Sequence, residues 1–227
     1  MLQPVSIATA QRIWAARLGA PASGGTVASN EADSVQAVRL GDRDFVRIPA
    51  ALASVSAHVS AAAWFDPRLI EGIPVAVRAH ARLAYADRGS LRTNADAAVI
   101  PLGHNDARVR ELARTMLDAE WDEAGLWRGA NLAGWYGIEI EHRLVAIAAY
   151  ENWDGLLAHL CVATDPVHRG QGHAILAAGV AATDALSKGL VAQWRSSVTN
   201  PASAAVGARL GFVDIGEQFV YGSLADA

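Results

Sequence analysis

Along residues 5–18, Ile7, Ile13, Trp14 and Leu18 recur at helix-compatible spacings, and the GAPASGG run after them breaks the pattern with Gly, Pro and Ser. This predicts a helix followed by a flexible loop. The stretch SVQAVRLGDRDFVRIP reads as two short strands around a Gly-Asp turn, AALASVSAHVSAAAWF as a helix, and the alternating PVAVRAHARLAYAD as a strand. Residues 1–93 are therefore expected to form an α+β region, and they carry no motif of assignable chemistry.

The second half is ordered more plainly. Ala98–Leu102 reads as a strand, and from Asp106 a helix placing Val109, Leu112, Met116 and Leu117 on one face is expected to run to about Ala124. GWYGIEIEHRLVAIAAYENW predicts a β-hairpin turning near Glu141 and His142, and LLAHLCVAT a buried strand. A glycine-rich turn then leads into the helix HAILAAGVAATDALSKG, with Lys188 and Gly189 as a basic last turn and C-cap. The chain ends on a strand, LVAQWRSSV, a helix, PASAAVGARLG, and a strand, FVDIGEQFVYG. Asn200 is a natural N-cap, with Pro201 at the first helical position.

Composition narrows the setting. At 227 residues and 52% hydrophobic the chain buries a core without needing a staple, as one domain or two. Cys161 is its one cysteine, which excludes an internal disulfide and a multi-cysteine zinc site and suits a reducing cytoplasm. The N-terminus has no basic n-region, its apolar residues are interrupted by Gln11, Arg12 and Arg17, and no long uninterrupted apolar run follows. The expectation is a soluble protein with no membrane partner. A net charge of −4 and a pI near 5.9 give no basic field for nucleic acid. Arg68, Arg78, Arg82, Arg88 and Arg92 read as a solvated face, and the scattered histidines show no metal-ligand spacing.

The informative stretch is residues 164–174, TDPVHRGQGHA, between a buried strand and an amphipathic helix. Its glycines let backbone approach a ligand, and the helix N-terminus behind them offers unpaired N–H groups and a positive dipole end. One arginine and no carboxylate cluster fit a pyrophosphate better than a metal. Neither GxxxxGK nor GxGxxG occurs, so the Walker and dinucleotide loops do not apply.

Arg169, Gly172 and Ala174 resemble the RxxGxA pyrophosphate loop of the GCN5-related N-acetyltransferases (GNAT), with Pro166 three residues before the arginine. Asn200, Ser203, Val206, Leu210, Gly211 and Phe212 are similar to the second motif of that family, NxxSxxVxxxLGF. The resemblance covers residues 97–225. It implies an α/β fold with a mixed, splayed central sheet flanked by helices, and leaves residues 1–93 as an α+β N-terminal extension. It also implies acetyl-CoA as cosubstrate. Backbone of Val162 and Thr164 would pair with the pantetheine arm, and Arg169, Gly170, Gln171, Gly172, His173 and Ala174 would wrap the pyrophosphate. Asn200, with Ser203 near it, would reach the pantetheine or sulfur side, and the thioester would sit beside residues 160–162, facing the strand that holds Trp194 and Arg195.

Acyl transfer to an amine needs a deprotonated nucleophile, a stabilised oxyanion and a proton for the leaving thiolate. A backbone N–H at Val162 or Ala163 would serve the oxyanion. Glu151, Asp154 and His159 are the candidate bases, because the glutamate of the histone-modifying branch aligns with Leu157. The tyrosine that many members carry seven residues after the motif asparagine is Gly207 here, which leaves Tyr221 or Ser203 as substitutes for the acid. Cys161 is expected to be structural, His168 exposed, and His173 to contribute its backbone N–H. Trp121, Trp127, Trp135 and Trp153 would line an acceptor cleft or pack in the core. Glu120, Asp122 and Glu123 would attract a cationic amine or form a solvated helix end. The function expected is acetyl transfer from acetyl-CoA to a small-molecule amine; the rival is a non-catalytic acyl-CoA-binding sensor. The oligomeric state stays open, a homodimer included.

Overall fold

The structure, a computed structural model, describes residues 1–93, 98–103, 105–126 and 131–223. In chain order its elements are α1 (Pro4–Leu18), β1 (Gly25–Ser29), β2 (Val35–Leu40), β3 (Arg43–Pro49), β4 (Val75–Ala86), β5 (Val99–Pro101), α2 (Ala107–Ala113), α3 (Asp118–Glu123), β6 (Leu132–Ile140), β7 (Arg143–Trp153), β8 (Leu157–Thr164), α4 (His173–Ser187), β9 (Val191–Ser197), α5 (Pro201–Arg209) and β10 (Val213–Ser223). This is a mixed α/β fold. It forms two compact units, one of Met1–Gln3, Tyr85–Trp194 and Ala205–Val213, the other of Pro4–Ala84, Arg195–Ala204 and the residues from Asp214 on. The final strand, expected with the C-terminal domain, thus groups with the N-terminal residues.

In the unit containing Pro4–Ala84 the strand order is β1-β3-β2-β10-β4, with α1 packed on β2 and β3. Its core gathers Val35, Val46, Trp64, Ile70, Phe219 and Tyr221. Two expectations change here. The run after Pro49 is not one helix but short 3-10 turns at Ala50–Leu52 and Ala61–Phe65. Ser56 bonds the Leu52 carbonyl with both its N–H, at 3.0 Å, and its hydroxyl, at 2.7 Å, an isolated helical turn that is not continued. The expected loop also ends in a strand, β1, whose five residues offer too short a pattern to read; it pairs in parallel with β3.

In the unit containing Tyr85–Trp194 the order is β9-β8-β7-β6-β5. β5 to β8 pair antiparallel, and the β6–β7 hairpin turns at Glu141 and His142, both with positive φ. One face of the sheet takes α4, whose buried stripe of Ala177, Ala178, Ala181, Ala182 and Ala185 allows a close approach. Tyr150, buried on that face, donates to Asp184 of α4 at 2.8 Å, and Lys188 closes the triangle. Strand alternation sends Ile147 and Ala149 to the other face, where they join Leu112, Leu126, Cys161 and Ala163. The helix expected from Asp106 to Ala124 is two. Thr115 and Met116 make tight i→i−3 backbone bonds that end α2, and Leu117, extended and 71% exposed, starts α3 instead of facing the core.

β8 and β9 run parallel but pair only over Leu157–His159 and Val191–Gln193, while β8 continues to Thr164. The expected splay of the sheet is this early end of pairing.

Gly125, just after α3, sits in the left-handed region at φ +76, and a Cβ on it would lie 2.7 Å from Cys161 Sγ. Cys161 is 1% exposed, and its thiol is pushed up to about 12, first by burial and then by the nearby Glu151 charge. It is therefore no nucleophile at neutral pH. Its raised value also means that the unfolded chain releases this proton first. The stability the thiol contributes is full below about pH 8.5 and lost as pH rises toward 12. A thiol reagent at pH 8 is expected to label native Cys161 at least 100-fold more slowly than urea-unfolded chain. Gly125→Ala is expected to lower unfolding stability by roughly 2–4 kcal/mol, from backbone strain plus the sulfur clash. In a Cys161→Ala background the cost should fall to roughly 1–2 kcal/mol, the strain alone, as denaturant titration of the cycle would show.

Candidate functional site

The turn after β8 is built by local bonds. Asp165, nearly buried, donates its N–H to the Val145 carbonyl and accepts from Val167 N at 3.0 Å, which starts a 3-10 turn over Pro166–His168. Arg169 then extends, its Nε donating to the Thr164 carbonyl at 3.3 Å. Gly170 and Gly172 follow with φ of +78 and +88, and a Cβ on either would meet nothing within 4 Å. These glycines serve the backbone path, and the space beside them is open. Gly172 is the N-cap residue of α4, so the first-turn N–H groups of His173 and Ala174 lie at the positive end of a helix running to Ser187. The His173 ring is turned back to Gln171, with Nε2 3.3 Å from Oε1. His168 is partly buried rather than exposed, and its Nδ1 lies 3.8 Å from Asp165.

The Arg169 guanidinium has a carboxylate partner in this unit. Its Nη1 donates to Glu120 Oε1 at 2.9 Å, while the second oxygen of Glu120 accepts from Leu117 N at the start of α3. The arginine holds the Glu120 carboxyl below the usual range, and the carboxylate raises the arginine in turn. Glu120 is thus committed to the loop rather than to a cationic amine.

Glu151 and His159 face each other across β7 and β8 in direct register. Trp153, on the same face two residues beyond Glu151, stacks on the His159 ring at 5.1 Å and donates its indole N–H to Glu151 Oε2 at 2.9 Å. His159 is partly buried, and its Nδ1 lies 3.0 Å from Gln193 Nε2. A carboxylate, an imidazole and an indole therefore cluster at the last paired residue of β8, on the strand that leads to the glycine turn. The sequence reading named Glu151 and His159 but not Gln193. A glutamine inside an otherwise apolar strand was the available signal. Asp154, the third candidate base, is exposed in the turn after β7 with φ +55. Leu157 is fully buried.

Val162, Ala163 and Thr164 lie on β8 beyond the pairing with β9. Asn200 Oδ1 accepts from Ser203 N at 3.0 Å, the bond of an N-cap on α5, so that oxygen is spent on the helix. Tyr221 is a correction: it is 1% exposed, and its hydroxyl donates to the Trp64 carbonyl inside the other unit's core, which gives it a structural duty in place of an acid's. At Gly207 a Cβ would meet the Trp194 ring at 3.0 Å, so that ring stands against the position where the resemblance expects tyrosine. Trp121 and Trp135 pack against the core around Cys161; Trp127 lies outside the described residues. Among the described residues no group of three or more His, Cys, Asp or Glu is placed to hold a metal ion, and no helix is long and apolar enough to cross a membrane.

No family model matches the chain, and no curated protein matches it. Solved structures do. A GNAT-family protein from Novosphingobium aromaticivorans matches 66% of this chain and 68% of its own at 23% identity, with a TM-score of 0.51. A GCN5-related N-acetyltransferase from Kribbella flavida matches 71% of this chain and 66% of its own at 21% identity and 0.50. An acetyltransferase of the GNAT family from Colwellia psychrerythraea matches 68% and 60% at 17% identity and 0.51. The likeness thus spans about two thirds or less of those chains, and at these identities it bears on architecture. Over about two thirds of its length, the fold of this chain is that of the GCN5-related N-acetyltransferases.

Proposed function

We propose that the chain is an N-acetyltransferase that takes its acetyl group from acetyl-CoA and passes it to a small-molecule amine. The observation that carries this reading is the end of β8–β9 pairing at His159 and Gln193, on the strand that runs directly into the open glycine turn at the N-terminus of α4. Residues of the turn fit an anionic pyrophosphate: space is open beside Gly170 and Gly172, the first-turn N–H groups of α4 follow them, and Arg169 supplies a cation at the edge. Val162, Ala163 and Thr164 would offer backbone groups to the pantetheine arm. Acetyl-CoA, when bound, supplies a thioester carbonyl open to attack.

The chain's own part is proton handling and orientation. Glu151 and His159 together can take a proton from an amine and set a hydrogen bond against developing negative charge, and Trp153 covers both from one side. No buried acid is required beyond them, since a thiolate with a conjugate pKa of about 8.5 leaves readily. The buried Leu157, where a histone-modifying enzyme would carry glutamate, favours a small acceptor over a histone tail. The one thiol, held reduced and buried, suits a cytoplasmic setting.

Titration calorimetry of the purified chain with acetyl-CoA is expected to show one-site binding, weakened at least tenfold by Gly172→Val, whose branched side chain resists φ +88. Glu120→Gln, which frees Arg169 from its carboxylate, should tighten binding a few-fold. Release of free thiol with at least one of a panel of small amines would establish transfer. Binding without release across the panel would put the sensor reading in its place, and an absence of binding would end both.

A further inference from the structure

His159 is held from behind by two fully buried side chains. Tyr85, at the end of β4, donates its hydroxyl to Gln193 Oε1 at 2.7 Å, and Gln193 Nε2 lies 3.0 Å from His159 Nδ1. An amide nitrogen offers hydrogens and no lone pair, so the ring nitrogen opposite it must accept. In the neutral imidazole the proton then sits on Nε2. That edge of the ring faces Gly125, where a Cβ would come within 4.0 Å of Nε2, and the ring face is fixed by Trp153.

We infer that Tyr85 and Gln193 are positioning residues that fix His159 as its Nε2–H tautomer, so that His159 acts as a hydrogen-bond donor and Glu151 alone receives the proton of the amine. The division of roles rests on the proposed acetyl transfer; the tautomer is a property of the chain by itself. Glu151 stands across from His159 on β7, Cys161 follows it on the same face of β8 with a thiol that stays protonated, and Tyr85 acts through Gln193. A glutamine rotated by half a turn would present Oε1 to Nδ1, require the proton there, and leave Nε2 as a bare base. In the structure the Tyr85 hydroxyl donates to Oε1, which turns the other end of the amide, Nε2, toward His159.

The test is nitrogen NMR on the full chain labelled with 15N-histidine, at a pH where the ring is neutral, with the His159 signals identified by their loss in His159→Gln. The expected spectrum has a pyridine-like Nδ1 and a pyrrole-like Nε2. Tyr85→Phe should turn this single state into a tautomer mixture, and Gln193→Glu, which can only accept, should move the proton to Nδ1. A wild-type spectrum with a pyrrole-like Nδ1, or one averaged between the two forms, overturns the inference without need of either variant. Acetyl transfer is scored separately by thiol release. An Nε2–H ring in a chain that transfers nothing would sink the proposed function and leave the tautomer standing; an Nδ1–H ring in an active enzyme would do the reverse.

Discussion

β8 and β9 run side by side as parallel strands but share backbone pairing only through His159 and Gln193, and β8 then goes on to Thr164. An unsatisfied buried backbone group costs about 1–3 kcal/mol, so such an edge persists only where solvent, side chains or an extended ligand can serve it. The next residue of β9 is Trp194, whose ring is packed edge-on against Phe212 at 5.5 Å, while β8 runs on into a turn dictated by Asp165 and the two open glycines. At the last paired position, the His159 and Gln193 side chains also meet, with Nδ1 and Nε2 3.0 Å apart.

Charge at the glycine turn is balanced within the protein. The chain has a net charge of −4, so the attraction the proposed function needs for an anion at this spot would have to come from local features alone: one guanidinium, the end of α4 and a row of N–H groups. Glu120 stands against the first of these. Because the same carboxylate also caps the start of α3, the helix and the turn are tied through one side chain, and whatever displaces Glu120 from Arg169 loosens the entry to α3 as well.

Much of this was legible in the residues. The hairpin at Glu141, the buried strand through Cys161, the RGQGHA turn and the two closing helices all follow from patterns that local physics enforces: alternation, caps and glycine. The run after Pro49 is rich in alanine, which favours helix, yet it forms only short 3-10 turns, and spacing alone does not show where such turns stop. The break between α2 and α3 was hidden because Leu117 keeps helical spacing even though it is exposed. Of the candidate site, the glycine turn at the start of α4 could be placed from sequence. The bond of Gln193 to His159, and the burial of Tyr221 against Trp64, join residues far apart in the chain, and no short-range pattern encodes either.

The packing of Gly207 under Trp194 carries a consequence for how such a chain can change over time. A side chain at position 207 and a large ring at position 194 compete for one volume, with barely 3.0 Å to spare even for a methyl group. Neither position is free to drift alone toward the arrangement with a tyrosine after α5 begins. A larger side chain at 207 therefore calls for a smaller one at 194, so the two positions constrain each other.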